Sequence, residues 1–425
     1  MKFTKMSLVA ALLIGSSAFA IENTKVSGDA NLFYNTTDAG SNSLFDKDNS
    51  AADTAINLNV TTDLIKNSTV AVSAGAGYTV LSTLGLEQNL VSSVWGGAHG
   101  IKGNSSSRGA HVSTPNWMTE AWLAATAGKT TAKIGRMELD TPLAFTETWT
   151  IEKNTFEAAV VINQDVPDTT LVGAYVGNGN GTESLGGSTM PQGPVAMGAV
   201  VNQDGAFDTY GKSGAYAIGV VNNSFKPLTA QAWYYNVTAV ADAYWLQADL
   251  DAGSLGAEGL TAGVQYTSVK SVASGAKADN VYAVKLGYEM KDLFAASIAY
   301  SSVNDNGTIG YAGFNTATAA GTAQSKLYTE AWWNYGKITQ TDTDAYNITI
   351  TSPVQGLFDL GLYYTDADQT AAAGDNDMTE FTLTAGKSFG PLDATLAYIY
   401  SDVKTATVGD DETTNAIQAY LTLNF

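Results

Sequence analysis

The 425-residue chain has no cysteine, two histidines and eight prolines. Without cysteine an exported chain can hold no disulfide framework, no thiolate metal site and no sulfur nucleophile. The two histidines, His99 and His111, fall in one glycine- and serine-rich stretch, and no carboxylate lies near in sequence to orient either ring. An imidazole-based catalyst is therefore not expected. Basic residues are also scarce, 21 against 41 acidic ones for a net charge of −20. That balance excludes nucleic acid as a partner and favours cations. Beyond the first twenty residues no 18-residue stretch stays apolar, which excludes a helical membrane protein. Sustained 3.6-residue periodicity is missing too, so a helical bundle is excluded. The run Gly177-Asn178-Gly179-Asn180-Gly181 follows no strand-to-helix pattern and reads as a loop rather than a phosphate cradle.

What is present begins with Lys2, Lys5, the apolar run Leu8–Ile14 and Ala18-Phe19-Ala20, the pattern of an export signal spanning residues 1–20. Residues 21–425 then read as one domain, since no linker or low-complexity boundary interrupts them. Period-two alternation runs through that domain, for example at Ile56/Leu58/Val60, Leu260/Ala262/Val264/Tyr266, Phe294/Ala296/Ile298/Tyr300 and Ile417/Ala419/Leu421/Leu423/Phe425. Each run is about ten residues, the length of a tilted membrane strand.

Connections alternate as well. Short turns are predicted at 64–68, 127–129, 164–168, 223–228, 252–259, 290–293, 353–356 and 390–391. Long polar loops are predicted at 36–50, 81–116, 139–155, 178–213, 237–242, 269–279, 303–343, 367–378 and 403–414. Together they join eighteen strands, with sixteen as the alternative. The expected fold is all-β, a transmembrane antiparallel β-barrel with long extracellular loops and short periplasmic turns. Val195–Val201 and Leu327–Trp333 do not fit the strand count and are assigned to the fourth and seventh loops.

Aromatic residues sort by strand end. Phe225, Phe294, Phe358, Phe389 and Phe425 fall beside short turns, and Tyr34, Tyr78, Tyr266, Tyr300, Tyr364 and Tyr400 fall near loops, as in two interfacial girdles. The last strand, with Leu421, Leu423 and Phe425, reads as the signal by which barrel-assembly machinery recognises the chain. That strand must also pair with the first, because an open edge in lipid leaves backbone groups without partners.

A barrel of this width encloses water unless something plugs it, and no separate domain precedes the first strand at Val26. The wall residues are expected between the apolar ones: Lys133, Glu157, Gln247, Asp249, Gln265, Lys285, Asp359 and Glu380. The third long connection is the candidate for an inward-folded constriction, with Arg136, Glu138, Asp140, Glu147, Glu152 and Lys153 on or beside it. Its carboxylates would favour cations. No cofactor is required by any motif. Calcium is the one weak candidate ligand, at Asp46, Asp48 and Asp53, at Asp305 between two asparagines, and at Asp375, Asp377 and Glu380, although none of these has EF-hand spacing.

The segment Lys133-Ile134-Gly135-Arg136-Met137-Glu138-Leu139-Asp140-Thr141-Pro142, followed by Thr155-Phe156-Glu157, resembles the Campylobacter-type major outer membrane porins and the related porin-D-like channels. The export signal, the first strand and Phe425 share the resemblance. It implies an eighteen-stranded, usually trimeric, cation-preferring general porin with room for a calcium site in the channel. The arginine ladder of the carboxylate-selective members is missing, since Arg108 and Arg136 are the only arginines.

The expected function is diffusion of ions and small hydrophilic solutes across a Gram-negative outer membrane, by a homotrimer in contact with lipid and with no enzymatic activity. The alternative is an adhesin or structural barrel acting through loops 81–116, 178–213 and 303–343.

Overall fold

The computed structural model describes residues 23–40, 43–96, 98–99, 112–183, 196–197, 200–370, 376–404 and 412–425. The expected export signal, Arg108, His111 and Asp375 lie outside them. Eighteen strands form one closed wall. They are β1 (Lys25–Thr37), β2 (Ser50–Lys66), β3 (Ala71–Ser82), β4 (Asn116–Ala127), β5 (Thr130–Met137) and β6 (Phe156–Asn163). Then come β7 (Thr169–Gly179), β8 (Ala215–Asn222), β9 (Leu228–Val237), β10 (Ala241–Asp251), β11 (Leu260–Ser271) and β12 (Asp279–Met290). The wall ends with β13 (Phe294–Val303), β14 (Thr343–Val354), β15 (Phe358–Gln369), β16 (Met378–Phe389), β17 (Leu392–Val403) and β18 (Glu412–Asn424). Each pairs antiparallel with the next, and β18 pairs with β1 from Asp29↔Asn424 to Thr37↔Ala416. No helix among the described residues is long and apolar enough to cross a membrane.

Alternation explains the two faces. Ile56, Leu123, Ile134, Ile218, Val264, Ile298 and Leu396 are exposed on the outside, where lipid would cover them. The inward positions between them are largely small or polar, such as Asn57, Thr79, Gln247, Ser297, Thr349, Thr384 and Thr422. Each strand from β7 to β15 carries an outward tyrosine near its loop end, and neighbours touch ring to ring, as in Tyr234–Tyr244 at 5.2 Å and Tyr300–Tyr346 at 5.0 Å. At the turn end Phe225, Phe389 and Phe425 are exposed. The two expected girdles are thus present.

Tight turns reverse the chain where the sequence supplies the backbone freedom they need. Gly128 and Gly390, with φ of 59° and 66°, each occupy the first position of a two-residue hairpin, where a type II′ turn requires positive φ. One connection differs from expectation. The predicted loop 237–242 is a three-residue turn between Val237 and Ala241, with Ala239 at φ 61°. Its sequence, Thr238-Ala239-Val240, carries no glycine, proline or asparagine to announce a tight turn.

The segments that did not fit the strand count stay out of the wall. Ala196–Met197 makes a short parallel pairing with Val94–Trp95 among the loops, and the rest of 195–199 lies outside the described residues. Leu327–Trp333 belongs to the loop between β13 and β14 and forms no strand.

Candidate functional site

Two loops fold into the barrel. The connection 138–155, after β5, buries Leu139, Leu143, Phe145, Glu147, Ile151 and Glu152. The connection 304–342, after β13, buries Phe314, Asn315, Leu327, Ala331 and Ile338. They meet each other: Thr316 N–H donates to the Leu143 carbonyl at 2.8 Å, and Phe145 N–H donates to Asn315 Oδ1 at 3.1 Å. The expected inward folding of the third loop is present. Inward folding of the seventh was not foreseen.

Buried carboxylates fasten these loops. Glu147 accepts from Asn315 Nδ2 at 3.1 Å, Thr318 Oγ1 at 2.6 Å and the Gln324 N–H at 3.2 Å. Burial nonetheless pushes its carboxyl up to about 7. Glu330 accepts from the N–H groups of Ser325 and Ala331 at 2.7 and 3.0 Å, and burial pushes it up to about 8. Glu380, 1% exposed on β16, accepts from the N–H groups of Trp332, Trp333 and Asn334 at 2.9, 3.1 and 2.7 Å. Asp279 on β12 accepts from the N–H groups of Ile309 and Gly310 at 2.9 and 2.8 Å. Each carboxylate satisfies loop N–H groups that would otherwise be buried without partners.

These contacts revise the wall expected from sequence. Lys133, Gln247, Asp249, Lys285 and Asp359 alternate onto the inner face as expected. Lys133 lies 4.1 Å from the Trp122 ring centroid, and Lys285 lies 4.3 Å from that of Tyr328. Asp249 accepts from Tyr328 Oη at 2.6 Å, and Gln247 donates to Asp249 at 2.6 Å. Gln265 and Glu380 also point inward, but they are covered by loop 304–342 rather than open to a pore. Gln265 bonds the Lys326 carbonyl and the Tyr328 N–H.

Glu157 and Arg136 are corrected outright. On β5 and β6 the inward residues are Lys133, Met137, Phe156, Ala158, Val160 and Ile162, so Arg136 and Glu157 face outward near the rim. There Arg136 Nε donates to Glu157 at 2.8 Å, Asn178 Nδ2 donates to Glu157 at 2.6 Å, and the guanidinium lies 3.9 Å from the Phe207 ring centroid. Apolar residues face inward here as well as outward, because the two loops pack on the inner face.

Glu138 and Asp140 form part-exposed ion pairs on or beside the inward loops, Glu138 with Lys153 and Asp140 with Lys326. Burial lowers the Lys326 ammonium despite Asp140. For Lys153 burial acts the same way, but Glu138, Glu120 and Asp29 outweigh it and hold the ammonium above its ordinary value. Glu152 is 1% exposed, beneath the loops.

The calcium candidates are dispersed. Asp46 accepts from the Asp48 N–H at 3.1 Å, Asp48 accepts from Ser92 Oγ at 2.8 Å, Asp377 pairs with Lys404 at 3.4 Å, and Asp305 is exposed. Among the described residues no three histidine or carboxylate side chains converge as metal ligands.

Asp53 instead meets His99, and both are fully buried. The second ring nitrogen, Nδ1, faces the Ser113 carbonyl at 2.7 Å. With both nitrogens engaged the imidazole cannot serve as a general base. It pins the second loop to β2. Sequence could not show this partner, which lies 46 residues away.

A closed barrel with an apolar outer belt and polar inner positions is a transmembrane β-barrel of the outer-membrane type. The chain is similar to solved barrels of Pseudomonas aeruginosa. OccK8 (OprE) superimposes with a TM-score of 0.67 at 15% identity, covering 96% of this chain and 100% of that one. The outer membrane protein OpdK gives 0.66 at 11%, covering 94% and 98%, and OpdK with vanillate gives 0.69 at 12%, covering 95% and 99%. At such identities the likeness establishes the eighteen-stranded fold. No protein-family model and no curated protein matches the sequence.

Proposed function

We propose that the chain is a diffusion channel of the Gram-negative outer membrane, passing ions and small hydrophilic solutes with a modest preference for cations. The observation that carries this is the pair of inward loops, 138–155 and 304–342, inside a barrel too wide for its own wall side chains to fill. On this reading their part-exposed ion pairs, Glu138–Lys153 and Asp140–Lys326, line the path of the solute. A carboxylate-lined surround, with Asp29 and Glu120 near Lys153, supports a slight cation bias. Pairing with lysines keeps that bias small. The likeness to a barrel solved with vanillate supports small solutes as the cargo class and transfers no particular solute.

Self-association into trimers belongs to the same proposal. The tyrosine girdle of β7 to β15 is broken on β4 to β6, where Met118, Arg136 and Glu157 take the equivalent outward positions. An outward-facing Arg136–Glu157 ion pair suits contact with another copy better than contact with lipid. Export through residues 1–20 and recognition of Leu421, Leu423 and Phe425 by the assembly machinery complete the reading.

Swelling of liposomes carrying the purified barrel, in uncharged solutes of increasing size, tests the channel. Rates should fall steadily with solute size. Liposomes holding verified folded barrel that swell no faster than empty ones would overturn it.

A further inference from the structure

The sequence contains three Asn-Gly pairs, at Asn178, Asn180 and Asn306, and the fold places them in three different settings. Asparagine before glycine is open to attack on its side-chain amide by the next backbone nitrogen, because glycine has no Cβ to crowd the approach. Asn178 lies in β7, held opposite Glu157 and Thr209, and its Nδ2 donates to Glu157 at 2.6 Å. Asn180 is fully buried, its Oδ1 accepting from the Thr155 N–H at 2.7 Å and its carbonyl from the Asn202 N–H at 2.8 Å. Asn306 alone of the three is exposed, in a turn just after β13. Asn304 Nδ2 donates to its Oδ1 at 3.3 Å, which draws electrons from the carbonyl carbon. Among the described residues the Gly307 N–H gives no hydrogen bond, so nothing withholds the attacking nitrogen.

The same turn leads into the first fastening of loop 304–342. Asp279, fully buried on β12, accepts from the N–H groups of Ile309 and Gly310 at 2.9 and 2.8 Å and from Thr341 Oγ1 at 3.3 Å. Gly307 packs so close that a Cβ there would collide with the Asp279 carboxylate. The chain between residue 306 and this anchor therefore has no slack. We propose that Asn306 is a site of spontaneous deamidation, and that its conversion loosens the Asp279 anchor. The Gly307 nitrogen bonds to Asn306 Cγ, and its proton leaves with the Nδ2 group as ammonia, closing a five-membered imide. Water then opens the imide at either carbonyl, giving aspartate or isoaspartate. Isoaspartate carries one more methylene in the main chain, directly before Gly307. Either product adds a carboxylate beside exposed Asp305, in the turn that the Asp279 carboxylate must hold, and like charges there repel.

The test is peptide mass spectrometry on folded barrel aged in mildly alkaline buffer, paired with trypsin cleavage of the intact barrel at Lys326 and Lys337, inside the loop. Amide should be replaced by carboxyl at Asn306 about tenfold faster than at Asn178 or Asn180, whose reaction waits on local opening. Aged wild type that keeps its fast gel mobility should be cut in the loop several-fold faster than fresh barrel, and aged Asn306→Ser should be cut no faster than fresh. Asn306 that stays intact, or converts no faster than Asn180, would overturn the modification site. Conversion without faster cleavage, or equal acceleration in aged Asn306→Ser, would overturn its effect on the anchor.

Discussion

Among single residues, the buried acids are the most informative. Glu147 stays protonated in the fold up to about 7, whereas free in solution it would lose its proton near 4.5. The native loop therefore binds more protons than the unfolded chain between those values. Stability is fullest below 4.5 and falls as pH rises to 7, by on the order of 3 kcal/mol for this one group. Glu147→Gln should show a smaller loss across that window in the temperature at which the barrel loses its fast gel mobility. An unchanged pH slope would remove Glu147 from the account. The Asp53–His99 pair gives a second expectation. A buried histidine left alone can stay neutral, while a buried aspartate left alone leaves a carboxylate without a charge partner. His99→Leu should thus lower the transition temperature more than Asp53→Leu, and the double variant should recover part of the difference. Equal effects with simple additivity would mean that the pair carries no coupling. Residues were read well where alternation was undisturbed, as at Asp249 and Lys285. They were misread at Arg136 and Glu157, because the rule that apolar side chains face lipid fails where loops pack inside the wall.

At the scale of elements, the strands and turns were legible and the inward loops only half so. Strands announce themselves because lipid on one side and water on the other impose a two-residue period. Loop 304–342 has no such period. Its position is set by contacts such as Glu147 with Asn315, which are 168 residues apart, and by Glu380 reaching three consecutive loop N–H groups. A solitary glutamate in a strand reads as a pore residue, and nothing local marks it as an anchor. Its removal is predicted to free the loop. Glu380→Ala should give noisier single-channel currents with more frequent changes of level, and Glu380→Gln, which keeps one acceptor oxygen, should lie between it and the wild type. Indistinguishable traces from all three would show that the anchor does not hold the constriction.

At the scale of the whole molecule, closure and width follow from the strand count. An even number of strands, β18 paired to β1, leaves no edge in the bilayer. Eighteen strands enclose more space than wall side chains fill, and the chain answers this with its own loops. In the channel we propose, the acidic balance, −20 overall, biases the entrance toward cations, and the Glu138–Lys153 and Asp140–Lys326 pairs temper that bias. The measurement that bears most directly on this is single-channel recording of the purified barrel in a planar bilayer across a KCl gradient. Stepwise currents with a reversal potential displaced modestly toward that of K⁺ are predicted. A verified, inserted barrel that passes no current would contradict the channel itself.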